Sequence, residues 1–376
     1  MMRILVLIHE FPPVGGGGGR VAEDICRELV KRGHKIIVLT AHLKGLPHRE
    51  DRDGIHVIRL SSLRRQAFKA NLMAMAAYIL VGLWGSYCLI RRWHPDVIHA
   101  HFAVPAGALA WALARLTGVP YMLTAHLGDV PGGVPEKTGN WFRWFSPLMP
   151  PIWRGAKRVV AVSEFTRQLA LRHYPVSIRV ILNGVDLQAL NPGKIQVHAP
   201  LTIIFAGRFV PQKNPLQIVA TLAELQDLRW QCVMLGDGPL FENVKRAIAA
   251  HGMEKRFTLP GWVKPEEVVA WFAKSDLLFM PSLSEGLPVV GVQALAMGLA
   301  IVASRVGGFV DLVAQGQNGY LCAPDDLNGM QASLRALLID RVALLAARRA
   351  SRTLAARFGL EAVVDAYEAI LSEVSR

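Results

Sequence analysis

The sequence predicts an α/β protein built from two doubly wound, Rossmann-like parallel sheets. Three observations carry this. Short apolar runs alternate with stretches of helical periodicity along most of the 376 residues. The alternation restarts in mid-chain, after a weakly patterned stretch at 183–200. Glycines, prolines and isolated charges gather just after the apolar runs, where open parallel sheets keep their ligand loops. A chain this long also exceeds one ordinary hydrophobic core, so two domains are expected.

The elements follow in order. RILVLIH reads as a strand, and VAEDICRELVKRG as a helix with Val21, Ile25, Leu29 and Val30 on one face and Gly33 as its stop. KIIVLTA, HVIRL, DVIHAHF, PYMLTAH and RVVAVS are further strands, with helices at 71–90 and AGALAWALARLTG between them. The second series runs LTIIFAG, WQCVMLGDG, FTLPG, DLLFMPS and AIVASRVGG, separated by PLQIVATLAELQ, FENVKRAIAAHG, PEEVVAWFAKS and VVGVQALAMG. The expected boundaries are 1–185 and 186–357, with a last amphipathic helix at about 358–376 able to pack back on the first domain. Two facing sheets would leave a cleft at the carboxyl ends of their strands.

Composition narrows the partners. Half of the residues are apolar, which argues against disorder. The formal net charge of +13 favours an anionic partner: a nucleotide, a polyanionic glycan, a phospholipid surface or a nucleic acid. Nucleic acid is set aside, because the basic residues are scattered and no binding motif is present. Cys26, Cys88, Cys232 and Cys322 lie far apart without CxxC, as buried reduced thiols of a cytosolic protein would. ILVLI is too short for a signal peptide. The segment 71–90 is uncharged and nearly long enough to span a bilayer, yet it stands where a crossover helix is required. A buried or membrane-grazing helix is therefore expected there.

Four constellations follow strands. PPVGGGGGR (12–20) opens the first helix, where glycines allow close backbone approach and a helix N-terminus offers N–H groups to an anion; a flexible surface loop is the plainer alternative. TAHLGD (124–129) places His126 at a strand's carboxyl end, able to bond a hydroxyl or to sit as a structural histidine. In HAH, only one of His99 and His101 is expected to reach the cleft, and no metal site is implied. In AGRFVPQKN (206–214), Arg208 and Lys213 suit a diphosphate, unless the loop is merely solvated. In SLSEGLP, Glu285 can accept bonds from sugar hydroxyls, and Pro288 opens a helix that carries Gln293 near the same face.

Together these motifs resemble the retaining glycosyltransferases of GT-B fold, family 4 (glycosyl transferases group 1), over essentially the whole chain. The resemblance rests on Pro12, Pro13, Gly16, Gly17, Gly33 and His34, on TAHLGD, on VSE at 162–164, NGVD at 183–186, Arg208 with Lys213, GDGP at 236–239, and SEGLP at 284–288. It implies an N-terminal acceptor domain and a C-terminal domain for a UDP- or GDP-linked sugar. It implies that Arg208 and Lys213 neutralise the diphosphate, Glu285 holds the hexose, and His126 faces sugar and acceptor. Gly16 and Gly17 would meet phosphate or acceptor. Gly261 to Val263 would lie near the base, and Gly236, Gly286, Leu287 and Pro288 complete the donor set. Transfer would retain anomeric configuration, with no metal and no cofactor beyond the donor. The family's second acid, on the ribose, is Gln293 here; an amide bonds a hydroxyl more weakly, by on the order of 1 kcal/mol.

For the acceptor, a glycan or lipid-linked molecule of cell-envelope synthesis is expected. Arg64, Arg65, Lys69, Arg91 and Arg92, with Trp141, Phe142, Trp144, Phe145 and Trp153, suit peripheral association with an anionic inner membrane face, unless the aromatics are packing and the cations a solvated surface. A non-catalytic nucleotide-sugar or glycan-binding partner and an epimerase are the rival readings. Oligomeric state is not readable.

Overall fold

Buried apolar strands alternate with helices to build two sheets. A computed structural model describes residues 1–66, 70–134 and 146–376. The chain divides into two units: Met1–Gly184 together with Leu360–Arg376, and Val185–Gly359.

In the first unit the elements are β1 (Arg3–Leu7), α1 (Gly17–Lys31), β2 (Lys35–Ala41), β3 (Arg49–Arg52), β4 (Ile55–Leu60), α2 (Leu72–Trp93), β5 (Val97–His101), α3 (Ala108–Thr117), β6 (Tyr121–Ala125), α4 (Met149–Gly155), β7 (Arg158–Ala161), α5 (Glu164–Leu171) and β8 (Ile178–Val180). The sheet order is β3-β4-β2-β1-β5-β6-β7-β8. β5 and β6 are buried throughout and β1 at all but its first residue, as strands covered on both faces must be. Leu7, Ile98, Leu109, Leu123 and Trp153 meet in the core between sheet and helices.

β3 is the one antiparallel strand of this sheet, and its sequence, Arg-Glu-Asp-Arg, hides it from any apolar count. It pairs with β4 through Asp53 and Gly54, both at positive φ (51° and 79°), the backbone of a tight hairpin turn. α2 is capped by Asn71, whose Oδ1 accepts from the Ala74 N–H at 2.8 Å. Its inner face is held down: the Tyr78 hydroxyl donates to the Leu39 carbonyl at 2.9 Å, and a Cβ on Gly82 would stand 2.7 Å from Leu109 Cδ2. α2 is thus the crossover helix between β4 and β5.

The second unit runs β9 (Leu201–Ala206), α6 (Pro215–Ala223), β10 (Trp230–Leu235), α7 (Phe241–Ala250), β11 (Phe257–Gly261), α8 (Pro265–Ala273), β12 (Leu277–Met280), α9 (Val289–Ala296), β13 (Ala300–Ser304), α10 (Phe309–Leu312), β14 (Gly319–Cys322), α11 (Leu327–Ile339) and α12 (Arg341–Leu354). Its strands are all parallel, in the order β11-β10-β9-β12-β13-β14. Buried Asp276 accepts from the backbone of His198 and Thr202 and pairs with Arg348, which also donates to the Gly298 carbonyl. This fully used carboxylate fastens the irregular stretch before β9 to the sheet.

The last helix, α13 (Leu360–Ser375), belongs to the first unit. Glu368 takes Arg32 Nη1 at 2.7 Å and His34 Nε2 at 2.8 Å, while Val364, Tyr367 and Leu371 are buried.

Candidate active site

The second unit's strand order reverses between β9 and β12, and a crevice opens beyond the carboxyl ends of strands at such a reversal. Arg208 and Lys213 stand in the loop after β9, Glu285 in the loop after β12. Lys213 Nζ lies 2.5 Å from Glu285 Oε1, and both side chains are largely buried. The two loops are sewn together beside this pair. The Leu283 N–H donates to the Gln212 carbonyl at 2.8 Å, and Gln212 Nε2 to the Ser284 carbonyl at 3.0 Å.

Glycines fix the surroundings. Gly236 has φ 126°, and a Cβ there would stand 2.0 Å from the Gly207 carbonyl oxygen, so only glycine fits. Its N–H donates to the Gly261 carbonyl at 2.8 Å, and the Phe209 N–H donates to the Asp237 carbonyl at 2.9 Å. The loops after β9, β10 and β11 therefore form one backbone-bonded rim. Val263 lies half-buried just past β11. On the other side, Gly307 (φ 53°) leaves 1.5 Å between a hypothetical Cβ and the Glu285 carbonyl oxygen, and the Gly308 N–H donates to the Gly286 carbonyl. Leu287 and Pro288 are buried, and Pro288 is the N-cap of α9. Gln293 is half-buried on that helix.

In the first unit the order reverses between β1 and β5. Gly16 is the N-cap of α1 and Gly17 its first residue. A Cβ on Gly18 would stand 2.9 Å from Phe102 Cζ and 3.3 Å from His126 Cε1, and one on Gly19 2.3 Å from the Glu10 carbonyl oxygen. The glycine run thus lies directly against His126. A Cβ on Gly16 would meet nothing within 4 Å. The His126 ring stacks on Phe102 at 4.1 Å. Asp129 accepts from the His126 N–H at 2.7 Å and the Ala103 N–H at 2.8 Å, joining the loops after β6 and β5.

Electrostatics follow from burial. Desolvation pulls His126 down to about 4, so its imidazole is neutral at neutral pH. The side chain accepts from the Asp129 N–H, while Nε2 has no hydrogen-bond partner among the described residues. The proton therefore sits on Nε2, a buried donor ready for an oxygen. Burial pushes Asp129 up to about 7, and lowers His9 to about 4 and His99 to about 3.

Several expectations need correcting. His99 and His101 do not divide between faces: residues two apart on a strand share one, and their rings lie 4.1 Å apart. His99 Nε2 bonds Thr124 Oγ1 at 2.8 Å, whereas neither ring nitrogen of His101 has a partner among the described residues. Arg64 is no surface cation. It is buried and donates to the His9 carbonyl at 3.1 Å and to Glu10 at 3.3 Å. Trp153 is fully buried and stacks on Tyr174 at 4.3 Å. Lys69, Trp141, Phe142, Trp144 and Phe145 lie outside the described residues. Among those described, no group of three or more His, Cys, Asp or Glu is placed to hold a metal ion.

Gln212, Asp129, Gly307 and Gly308 were not singled out by sequence. The paired glycines directly after the strand AIVASRV were the available signal; nothing distinguishes Gln212 in advance.

Residues 15–189 match the model of Glycosyltransferase Family 4, and residues 192–354 that of Glycosyl transferases group 1. The chain is 28% identical to the 2-deoxystreptamine glucosyltransferase of Streptomyces kanamyceticus, over 89% of its own length and 93% of that enzyme's. Sucrose-phosphate synthase of Thermosynechococcus elongatus has the same fold, with TM-score 0.87 at 20% identity over 99% of both chains. So has Anabaena HepE, solved with UDP and glucose, with TM-score 0.79 at 18% identity over 99% of this chain and 100% of that one. Two α/β units of this kind make up the GT-B fold. The chain belongs to glycosyltransferase family 4, group 1.

Proposed function

We propose that the protein transfers a hexose from a UDP- or GDP-linked donor to a glycan or lipid-linked acceptor of cell-envelope synthesis. Transfer proceeds with retention and without a metal ion. The observation that carries the donor half is the Lys213–Glu285 pair at the strand-order reversal, with Arg208 in the same loop. A diphosphate carries more negative charge than Glu285 and offers several acceptor oxygens. On arrival it draws Lys213 away from the carboxylate, which frees Glu285 to accept bonds from the hexose hydroxyls. Arg208 and Lys213 then stabilise the charge that develops on the leaving diphosphate, the role a divalent cation fills elsewhere.

His126 acts neutral in this reading. Its Nε2–H donates to a sugar or acceptor hydroxyl without taking part as an acid at neutral pH. Gly16 and Gly17 bring backbone N–H groups of the α1 terminus to an anionic part of the ligand. Support for the donor also comes from HepE, whose structure holds UDP and glucose. The test is a panel of UDP- and GDP-sugars scored by nucleotide release in EDTA, with and without a cell-envelope lipid extract. Release confined to one donor and increased by extract is expected. Release that requires added magnesium contradicts the reading.

Gln293 favours a second reading, a non-catalytic subunit that binds nucleotide-sugar or glycan. It predicts binding of the donor in calorimetry and no release under any acceptor.

A further inference from the structure

We propose that the outward face of α2 is a docking surface for an anionic lipid bilayer. The inference does not depend on which donor or acceptor the enzyme uses. The inner face of α2 is spoken for by Tyr78 and Gly82. The opposite face is apolar and open: Met73, Leu80 and Trp84 are 70, 72 and 75% exposed. These three recur along one stripe, and Arg91, about five turns beyond Met73, continues it. Arg92 is exposed beside it, and Arg65 is exposed ahead of the helix.

Charge decides what this stripe meets. From Gly54 to Pro95 the sequence has no acidic residue, and the whole chain carries +13. A protein partner would ordinarily find a rim of both signs. An apolar stripe with a tryptophan at its middle and arginines at its end suits a headgroup boundary, with arginines reaching phosphates and Leu80 and Trp84 entering the acyl edge. The 22-residue helix offers about 33 Å of such edge, lying flat because its other side is locked to the sheet. A transmembrane role is incompatible with that packing.

Flotation of the full chain with phosphatidylcholine vesicles, with and without about one-third phosphatidylglycerol, tests this. At about 50 mM salt the protein is expected to float with the anionic vesicles only, and to release at about 500 mM. Leu80→Gln with Trp84→Gln should lower the floated fraction roughly tenfold, and Arg91→Gln with Arg92→Gln several-fold. Melting temperature and donor-nucleotide release in solution report folding and the proposed function separately. Three results overturn the proposal: no flotation at low salt, equal flotation on neutral vesicles, or flotation that the Leu80/Trp84 variant leaves unchanged. A concentration-dependent dimer abolished by that variant would assign the face to a second copy of the chain instead.

Discussion

Lys213 Nζ and Glu285 Oε1 lie 2.5 Å apart, largely buried, where the second sheet reverses its strand order. Each is a group that would be costly to leave alone. An unpaired buried charge is strongly destabilising, so each side chain holds the other in place; in the proposed function a diphosphate takes over Lys213 from Glu285.

Lys213→Ala is therefore expected to lower kcat/KM by about a hundredfold to a thousandfold, the scale for losing one preorganised group at a developing charge. Steady-state kinetics checks it, with circular dichroism to show that the fold persists. Glu285→Gln should keep the packing and weaken sugar binding, raising donor KM about fivefold, less than Lys213→Ala raises it.

Gln293→Glu restores a carboxylate near the Glu285 loop. Donor KM should fall about fivefold, equivalent to about 1 kcal/mol, with kcat little changed. An unchanged KM would show that position 293 does not touch the donor.

Gly307→Ala forces a Cβ onto the Glu285 carbonyl at a positive-φ position. The backbone cost alone is roughly 1–3 kcal/mol, and the Glu285 loop must shift besides. Reduced thermal stability together with lost donor binding is expected. Gly16→Ala serves as the contrast for stability alone, since a Cβ there meets nothing within 4 Å among the described residues.

Acid should destabilise the first unit. His9 and His126 stand at about 4 and His99 at about 3 when folded, against 6.5 when unfolded. The unfolded chain binds more protons once pH drops below 6.5, so the stability these neutral rings contribute is lost as pH falls from there towards 4. Asp129 opposes this: its folded value near 7 means that the folded state takes up a proton first as pH falls from 7 towards 3.8. Three histidines outweigh one carboxyl. Melting temperature should therefore drop between about pH 6.5 and pH 4. His99→Gln and His9→Gln should flatten the fall.

Much of this was legible in sequence because parallel sheets announce themselves. Runs such as ILVL and AIVAS are apolar throughout when both faces are covered, and the loops that follow them hold the polar residues. That rule picks out Arg208, Lys213, Glu285 and His126, and the structure places all four in loops that follow strands. β3 was not, since an edge strand reading Arg-Glu-Asp-Arg has no apolar periodicity; only Asp53-Gly54 marked it. The burial of Arg64 and Trp153 is not readable in advance, because composition counts charge and aromaticity without knowing which side chains turn inward. Gln212 acts through backbone carbonyls of a loop distant in sequence, and spacing carries no trace of such a contact.

In the proposed function, positive side chains beside Glu285 hold a nucleoside diphosphate and let a sugar leave without a metal ion. Calorimetric titration of UDP and GDP in EDTA, into the parent protein and Lys213→Ala, tests it most directly. Saturable binding of one nucleotide by the parent, weakened at least tenfold in the variant (about 1.4 kcal/mol), is predicted. Equal binding by both proteins, or binding that appears only after magnesium is added, would contradict it.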